Sequence, residues 1–352
     1  MRPPSPLTHH SHYNSLGITA RGRREESETE ALLAAKDEDE LSNSIDTRID
    51  ISPDDPRTSP PLPPVVLKYP KEPHKLFTAM VSMFLAAASN DVVLAWVHER
   101  VGRDPLPDLA FSHLPYVPIA IQYSEYIIIS FTSAVFILCI FHKHRWIVLR
   151  RLFFIASLLY FGRCFTMAAT QLPVADVNYY CAPKLNRTEI GPIVLRGLSV
   201  LTGLGMSMAG KHTLCGDYVY SGHTIILCLG YLLISEYSPR RWWPIHWLFW
   251  LAAMGGILSL LLSRGHYLLD CILSYYITTR LFWLYHTMAN HPALKEASPT
   301  NHLSRVWWWR LFRWMEGGVE GAVPRRFESP LPWPPSRLAR SLNGLLAKPN
   351  RH

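Results

Sequence analysis

Between about residue 70 and residue 290, long apolar runs alternate with short polar and basic segments. Six of these runs hold roughly 18 to 23 residues, which is enough for a helix to cross a hydrocarbon core of about 30 Å. The pattern therefore predicts an all-α membrane protein with six transmembrane helices. The predicted spans are Leu76–Val97, Ile119–Phe141, Leu152–Ala169, Asp217–Ser235, Trp242–Leu262 and His266–Tyr285.

A further apolar block at Ile193–Gly210 differs from these six runs. It is rich in glycine and is interrupted by Arg196. Because a charged side chain is costly inside hydrocarbon, we predict a re-entrant or interfacial helix here rather than a seventh span. A seventh span would also reverse the side on which the later basic loops lie.

Composition divides the chain into three parts. Residues 1–70 contain 12 of the 27 acidic side chains and are rich in proline, so they cannot bury enough apolar surface to fold and are predicted to be a disordered tail. Residues 71–290 are the predicted six-span membrane domain. Residues 291–352 are a basic tail that contains "RVWWWRLFRW". Basic flanks of membrane spans explain the net charge of +8, and we therefore expect no nucleic-acid partner.

Basic residues also predict the orientation, because Lys and Arg are enriched in cytosolic loops. Lysines precede the first span, and basic clusters follow the second and fourth spans. With both termini in the cytosol, all of these groups lie on the cytosolic side. The lumenal segment 170–216 then contains a glycosylation sequon at Asn186. It also contains Cys181 and Cys215, which can form a disulfide in an oxidising lumen.

Two histidines and one carboxylate are predicted at the same lumenal depth of the membrane. His223 lies near the start of the fourth span, and His266 and Asp270 lie on the first turns of the sixth. Residues four apart share a helix face, so Asp270 can orient the His266 ring. Ionisable groups within spans are usually functional, and we interpret the three as a catalytic site. A metal site remains open as an alternative, because two histidines and a carboxylate form a known ligand set.

Three further polar residues fall inside predicted spans. Glu125 and Arg163 are candidate supporting residues of the site, with a structural ion pair as the alternative. Asp91 lies deeper in the first span and is interpreted as structural. The mixture of tryptophan and arginine in the C-terminal tail is typical of interfacial helices.

Several segments resemble one family. "CGDYVYSGHT" (215–224) followed by "HYLLD" (266–270) is similar to the paired motifs of the lipid phosphate phosphatase superfamily. Within that superfamily, "VHERVGRDPLPD" (97–108), "EYSPRRWW" (236–243) and "YYITTRLFWLYHTMAN" (275–290) resemble segments of the sphingomyelin synthases. The similarity extends over nearly all of residues 75–335.

The resemblance implies a lipid phosphate phosphatase-like helical bundle and a phosphotransferase. Its substrates would be phosphatidylcholine and ceramide, and its products sphingomyelin and diacylglycerol. His266, oriented by Asp270, would become a phosphohistidine, while His223 would act as the acid and then the base. No cofactor or metal is implied. The resemblance also implies a multi-pass protein of the Golgi or plasma membrane with a lumenal or extracellular site, and it leaves a homo-oligomer open.

Two departures from the family pattern affect the choice of headgroup. Gly265 and Leu268 stand where relatives usually have an acidic residue and a threonine or serine. Ceramide phosphoethanolamine synthesis from phosphatidylethanolamine is therefore an alternative, and a non-catalytic ceramide sensor is another. A lipid phosphatase is disfavoured because the spans and loops lack the Lys-x6-Arg-Pro motif of that branch.

Overall fold

The computed structural model describes residues 68–178, 180–185, 189–201 and 214–328. These residues are largely helical, and their only β-type pairing is an isolated bridge between His142 and Phe327. The helices are α1 (Pro73–His98), α2 (Leu109–His113), α3 (Ala120–Phe141), α4 (Arg145–Ala169), α5 (Ile190–Leu201), α6 (Gly222–Tyr237), α7 (Trp243–Leu262), α8 (Leu268–Asn290) and α9 (Trp309–Glu316). Short 3-10 turns among the described residues lie at Arg240–Trp242, Pro292–Lys295 and His302–Arg305.

Four of the predicted spans are confirmed as helices that are long and apolar enough to cross a membrane. They are α1, α3, α4 and α7, the last together with the turn that precedes it. The fourth predicted span is α6, which has only 16 residues. The sixth is α8, which is 23 residues long but carries polar side chains such as Asp270, Arg280 and His286. The helical membrane architecture is therefore confirmed, whereas the count of six spans stays a prediction.

One predicted boundary on the basic side was wrong. The third span does not begin at Leu152, because α4 begins seven residues earlier at Arg145. Arg150 and Arg151 are consequently helical and buried rather than exposed in a loop. Their guanidinium groups contact the carboxylate of Glu316, at 3.5 Å from Arg150 and 2.7 Å from Arg151. This pairing lets α4 carry two cations into the protein interior.

The other two boundary errors lie next to the histidines. The chain between Asp217 and Ser221 is not helical, and α6 begins only at Gly222, where the Ser221 hydroxyl accepts from the Thr224 N–H. His266 does not lie on α8, because Tyr267 is the N-cap residue of that helix and Asp270 closes a capping box with it. Both histidine-bearing segments therefore meet the bundle at helix N-termini.

Helices α1, α4, α6 and α8 surround the main hydrophobic core. This core includes Phe154 and Leu159 of α4, Leu233 of α6 and Tyr285 of α8. The tail also belongs to it, because Trp308 and Phe312 pack against Tyr285. Part of the predicted C-terminal tail is thus integrated into the bundle.

Helix α5 is the described part of the Ile193–Gly210 block. It packs on α1 at Gly197, where an added Cβ would lie 2.6 Å from the Val92 Cα. Glycine is therefore required at this helix crossing. The rest of the block, from 202 to 210, lies outside the described residues.

Candidate active site

The segment that leads into α6 is anchored by a disulfide. Cys181 and Cys215 are bonded with their Cα atoms 5.6 Å apart, so the disulfide predicted from the sequence is present. The buried His98 ring supports it by accepting from the Cys215 N–H at 2.9 Å, while its Nε2 lies 2.9 Å from the Ala182 carbonyl oxygen. Gly216 follows with φ 112°, a conformation that disfavours any side chain. The predicted glycosylation site, Asn186, lies outside the described residues.

His223 and His266 face each other across the N-termini of α6 and α8. The Nε2 atom of His266 lies 3.5 Å from Nδ1 of His223, and the ring centroids are 5.5 Å apart. His266 is buried and His223 is partly exposed. The two helix N-termini contribute a positive potential that favours an anion at this position.

Asp270 is buried behind His266. One carboxylate oxygen accepts from the Val219 N–H at 2.8 Å, and the other accepts from the Tyr267 N–H at 3.0 Å. The second oxygen also lies 3.5 Å from Nδ1 of His266. The two side chains are thus adjacent, although through a helix cap rather than along a helix face.

Val219 is the strained residue of this site. Its φ of 75° is rare for a β-branched side chain. Its N–H points to Asp270, so the same carboxylate holds the strained backbone and faces the catalytic candidate His266. Strain of this kind persists only where surrounding contacts determine it, and it is common at functional sites.

Arg163 joins three parts of the protein beneath the histidines. Its guanidinium donates to the Tyr220 carbonyl oxygen at 2.7 Å and to the Asn90 side-chain oxygen at 2.6 Å, and it forms an ion pair with Asp217. An added Cβ at Gly222 would lie 3.3 Å from its central carbon. The glycine before His223 therefore permits close approach of the cation.

Glu125 of α3 lies on the opposite side of His223 from His266. Its carboxylate is fully buried and lies 3.9 Å from Nε2 of His223. Both supporting candidates therefore lie close to the histidines. Asp91, which we interpreted as structural, accepts from the Asn90 side chain at 2.9 Å and adjoins the same polar region.

The sequence interpretation did not include Asp217 in the site, but the structure places it next to the histidines. The nearest ligand-type atoms of Asp217, His223 and His266 lie within 4.8 Å of one another. The carboxylate of this cluster is that of Asp217, whereas the metal site considered from the sequence used Asp270. Because Asp217 is paired with Arg163, a metal ion at this cluster would lie close to a buried guanidinium. That arrangement fits an anion better than a cation.

Asp108 is a second residue that the sequence interpretation missed. One of its carboxylate oxygens accepts from Ala110 N–H at 2.8 Å and so caps α2. The other accepts from the Leu268 N–H, the first residue of α8, at 2.9 Å. The same end of α8 is fixed by Tyr267, whose hydroxyl accepts from the Leu106 N–H at 3.0 Å. These contacts position His266 and Asp270 from outside the site.

A cavity of about 610 Å³ extends from His223 into the membrane domain. Its polar end contains Asn90, Asp91, Arg163, Asp217 and His223, and its remaining wall is mostly apolar. On α4 the lining extends from Arg163 to Leu152, which corresponds to about 16 Å along a helix. The cavity therefore combines a polar end with space for a hydrocarbon chain.

Comparison with known proteins gives consistent similarities. Residues 214–287, which contain both histidines and Asp270, match the family model described as PAP2 superfamily C-terminal. Phosphatidylcholine:ceramide cholinephosphotransferase 1 of Homo sapiens is 43% identical over 279 residues, which cover 78% of this chain and 67% of the relative. The corresponding protein 2 of Mus musculus is 43% identical over 272 residues, covering 76% and 74%.

The Caenorhabditis elegans phosphatidylcholine:ceramide cholinephosphotransferase 1 is 44% identical over 268 residues. This match covers 75% of the chain but only 57% of the longer worm protein. The resemblance inferred from the motifs is thereby confirmed. The chain belongs to the phosphatidylcholine:ceramide cholinephosphotransferase family, the sphingomyelin synthases, within the PAP2 superfamily.

Proposed function

We propose that the protein transfers phosphocholine from phosphatidylcholine to the primary hydroxyl of ceramide, forming sphingomyelin and releasing diacylglycerol. The observation that carries this proposal is the pair of facing histidines: His266 is backed by Asp270, and His223 lines the polar end of an apolar cavity. The names of the relatives support the same donor and acceptor.

In the first step, Nε2 of His266 attacks phosphorus of phosphatidylcholine. The P–N bond forms as the bond from phosphorus to the diacylglycerol oxygen breaks, and His223 donates a proton to that oxygen. Asp270 faces Nδ1 of His266 and favours the tautomer with the proton on Nδ1. The lone pair is then on Nε2, the nitrogen that faces His223.

In the second step, His223 accepts the proton of the ceramide primary hydroxyl. The ceramide oxygen attacks phosphorus, the P–N bond breaks, and His266 returns to its neutral state. The two nitrogens are only 3.5 Å apart without substrate. A phosphoryl group between them requires the rings to separate, and His223, which is partly exposed, is the more mobile candidate.

Glu125 and Arg163 are proposed as supporting residues. Glu125 lies near the outer nitrogen of His223, where a carboxylate stabilises the protonated ring that donates in the first step and forms again in the second. Arg163 supplies a buried positive charge whose present partner is Asp217. A phosphodiester entering the site can replace this carboxylate as the partner of Arg163. No cofactor or metal ion takes part in this scheme.

We propose that lipid chains enter between α1 and α3. Both helices line the cavity, but α1 packs mainly on α4 and α5, whereas α3 packs mainly on α6 and α7. Ile129 and Phe136 of α3 line the cavity and are also exposed at its side. A lipid could thus keep its chains in the bilayer while its headgroup reaches the histidines.

The proposed membrane arrangement has six spans, α6 and α8 included, with a lumenal or extracellular site and cytosolic termini. Arg240, Arg241 and the basic tail then lie on the cytosolic side. Golgi and plasma membrane are the proposed locations, and a homo-oligomer remains compatible. Protease added to sealed microsomes should remove a C-terminal tag, whereas a protected tag would contradict this orientation.

A donor comparison tests the proposed reaction. Purified protein in mixed micelles is given labelled ceramide with phosphatidylcholine or phosphatidylethanolamine, and His266→Ala serves as the inactive control. Labelled sphingomyelin from phosphatidylcholine is expected. Ceramide phosphoethanolamine as the only product would show that the donor is wrong, and the absence of any product would favour a ceramide sensor.

A further inference from the structure

Helix α9 of the C-terminal segment has two chemically different faces. One face is buried in the bundle through Trp309, Phe312, Met315 and Glu316. The other face is exposed and consists of Arg310, Leu311, Arg313 and Trp314. Trp307, just before the helix, is 77% exposed. Arg310, Arg313 and Trp314, with Trp307 just before the helix, thus form an exposed basic and aromatic surface.

Contacts on both sides of α9 fix its depth relative to the spans. Glu316 is paired with Arg151, near the start of α4. Trp314 lies against the first turn of α1, with the Lys75 ammonium 5.7 Å from its ring centre and the His74 ring 5.8 Å away. Since α1 and α4 both begin at this end, the exposed face of α9 lies where two membrane helices begin.

A depression of about 360 Å³ lies on this exposed face. It is lined by Trp309, Arg310, Arg313 and Trp314. Across the described parts of the chain, no carboxylate lies within salt-bridge distance of Arg310 or Arg313, although Glu316 on the same helix is paired with α4. The guanidinium groups therefore remain available to an external anion. Arginine binds phosphate through two parallel hydrogen bonds, and tryptophan prefers the headgroup region of a bilayer.

We propose that this face of α9 binds the phosphate of an anionic phospholipid from the adjoining leaflet. Arg310 and Arg313 contact the phosphodiester, and the Trp314 ring borders the glycerol region. None of these residues lines the cavity that reaches His223. The site is thus separate from the substrate site, and its negatively charged ligand differs from a zwitterionic donor.

Retention of phosphatidylserine by the full-length protein tests this proposal. Protein is reconstituted in phosphatidylcholine nanodiscs with a trace of photoactivatable phosphatidylserine, and labelled peptides are identified by mass spectrometry. Wild-type protein should be labelled within residues 306–316. The double variant Arg310→Gln, Arg313→Gln should lower this labelling roughly 10–30-fold.

The matched control is Arg240→Gln, Arg241→Gln, which removes two exposed arginines at the turn before α7. It should retain wild-type labelling of residues 306–316, and thermal melting checks that both variants are folded. Equal labelling of the wild type and the α9 variant would overturn the proposal. Displacement by soluble inorganic phosphate as effective as by phosphatidylserine would also overturn it, because the ligand would then be a free anion.

Discussion

Asp270→Asn tests how one carboxylate supports both the backbone and the reaction. Its two oxygens accept from the Val219 and Tyr267 N–H groups and face His266. An amide offers only one oxygen, so its NH₂ group must face either the Val219 N–H or both the Tyr267 N–H and the His266 ring. Losing one hydrogen bond to a charged acceptor costs about 1.5–3 kcal/mol of stability.

The effect on rate should exceed the effect on stability. If the amide NH₂ faces Nδ1 of His266, the ring proton moves to Nε2 and the nucleophilic lone pair is lost. Removal of an orienting or acid–base group typically lowers the rate about 10²–10⁴-fold, which corresponds to about 2.7–5.4 kcal/mol in activation free energy. Asp270 does not line the described cavity, so KM for both lipids should change little.

The assay measures kcat and KM for sphingomyelin formation together with thermal melting in detergent. Asp104→Asn is the matched control, because Asp104 is an exposed carboxylate outside the site. A kcat of Asp270→Asn within about threefold of wild type, in a folded protein, would refute the assigned role of this carboxylate. A loss seen only in KM would refute it equally, since substrate binding would then be the step affected.

Three further predictions concern positioning, stability and metals. Asp108→Asn should lower kcat about 10–100-fold with little change in KM, because it loosens the start of α8. The control Asp104→Asn should keep the wild-type kcat. If Asp108→Asn affects only KM, the positioning role is contradicted. Glu316→Gln should lower the free energy of unfolding by about 3–5 kcal/mol, since Arg150 and Arg151 lose their buried counter-charge. These arginines hold the pKa of Glu316 at about 2, below the usual value of about 4.3. The stabilisation should therefore be complete above pH 5 and lost as the pH falls towards 2. If the melting temperatures of the wild type and of Glu316→Gln fall by the same amount between pH 5 and 3, this prediction is contradicted. EDTA should leave the transfer rate unchanged, and loss of activity that Zn²⁺ restores would instead establish a metal at Asp217, His223 and His266.

Most of the helical framework could be predicted from the sequence, because apolar runs determine membrane helices directly. The ends of α1, α3 and α7 lie within a few residues of the predicted ones. The start of α4 could not be found in this way. Arg150 and Arg151 are tolerated in a buried helix only because Glu316, 165 residues after Arg151, neutralises them. No local pattern contains this information.

The site could be predicted only in part, because some of its contacts join residues that are distant in the sequence. The sequence predicts His223, His266 and Asp270 at one membrane depth. Asp217 lies at the polar edge of a predicted span, and its ion pair with Arg163 depends on the tertiary structure. Asp108 carries a local signal, an aspartate before "LAF" that predicts an N-cap. Its second contact, to Leu268, is 160 residues away and requires the tertiary structure.

The most direct test of the proposed mechanism is to trap the covalent intermediate. Purified protein is mixed with phosphatidylcholine labelled in its phosphate, without ceramide, and the reaction is quenched rapidly before digestion and mass spectrometry. An acid-labile phosphocholine adduct is expected on His266. It should be absent from His266→Ala and should disappear when ceramide is added. An adduct on His223, or rapid sphingomyelin formation with no adduct at any quench time, would contradict the account.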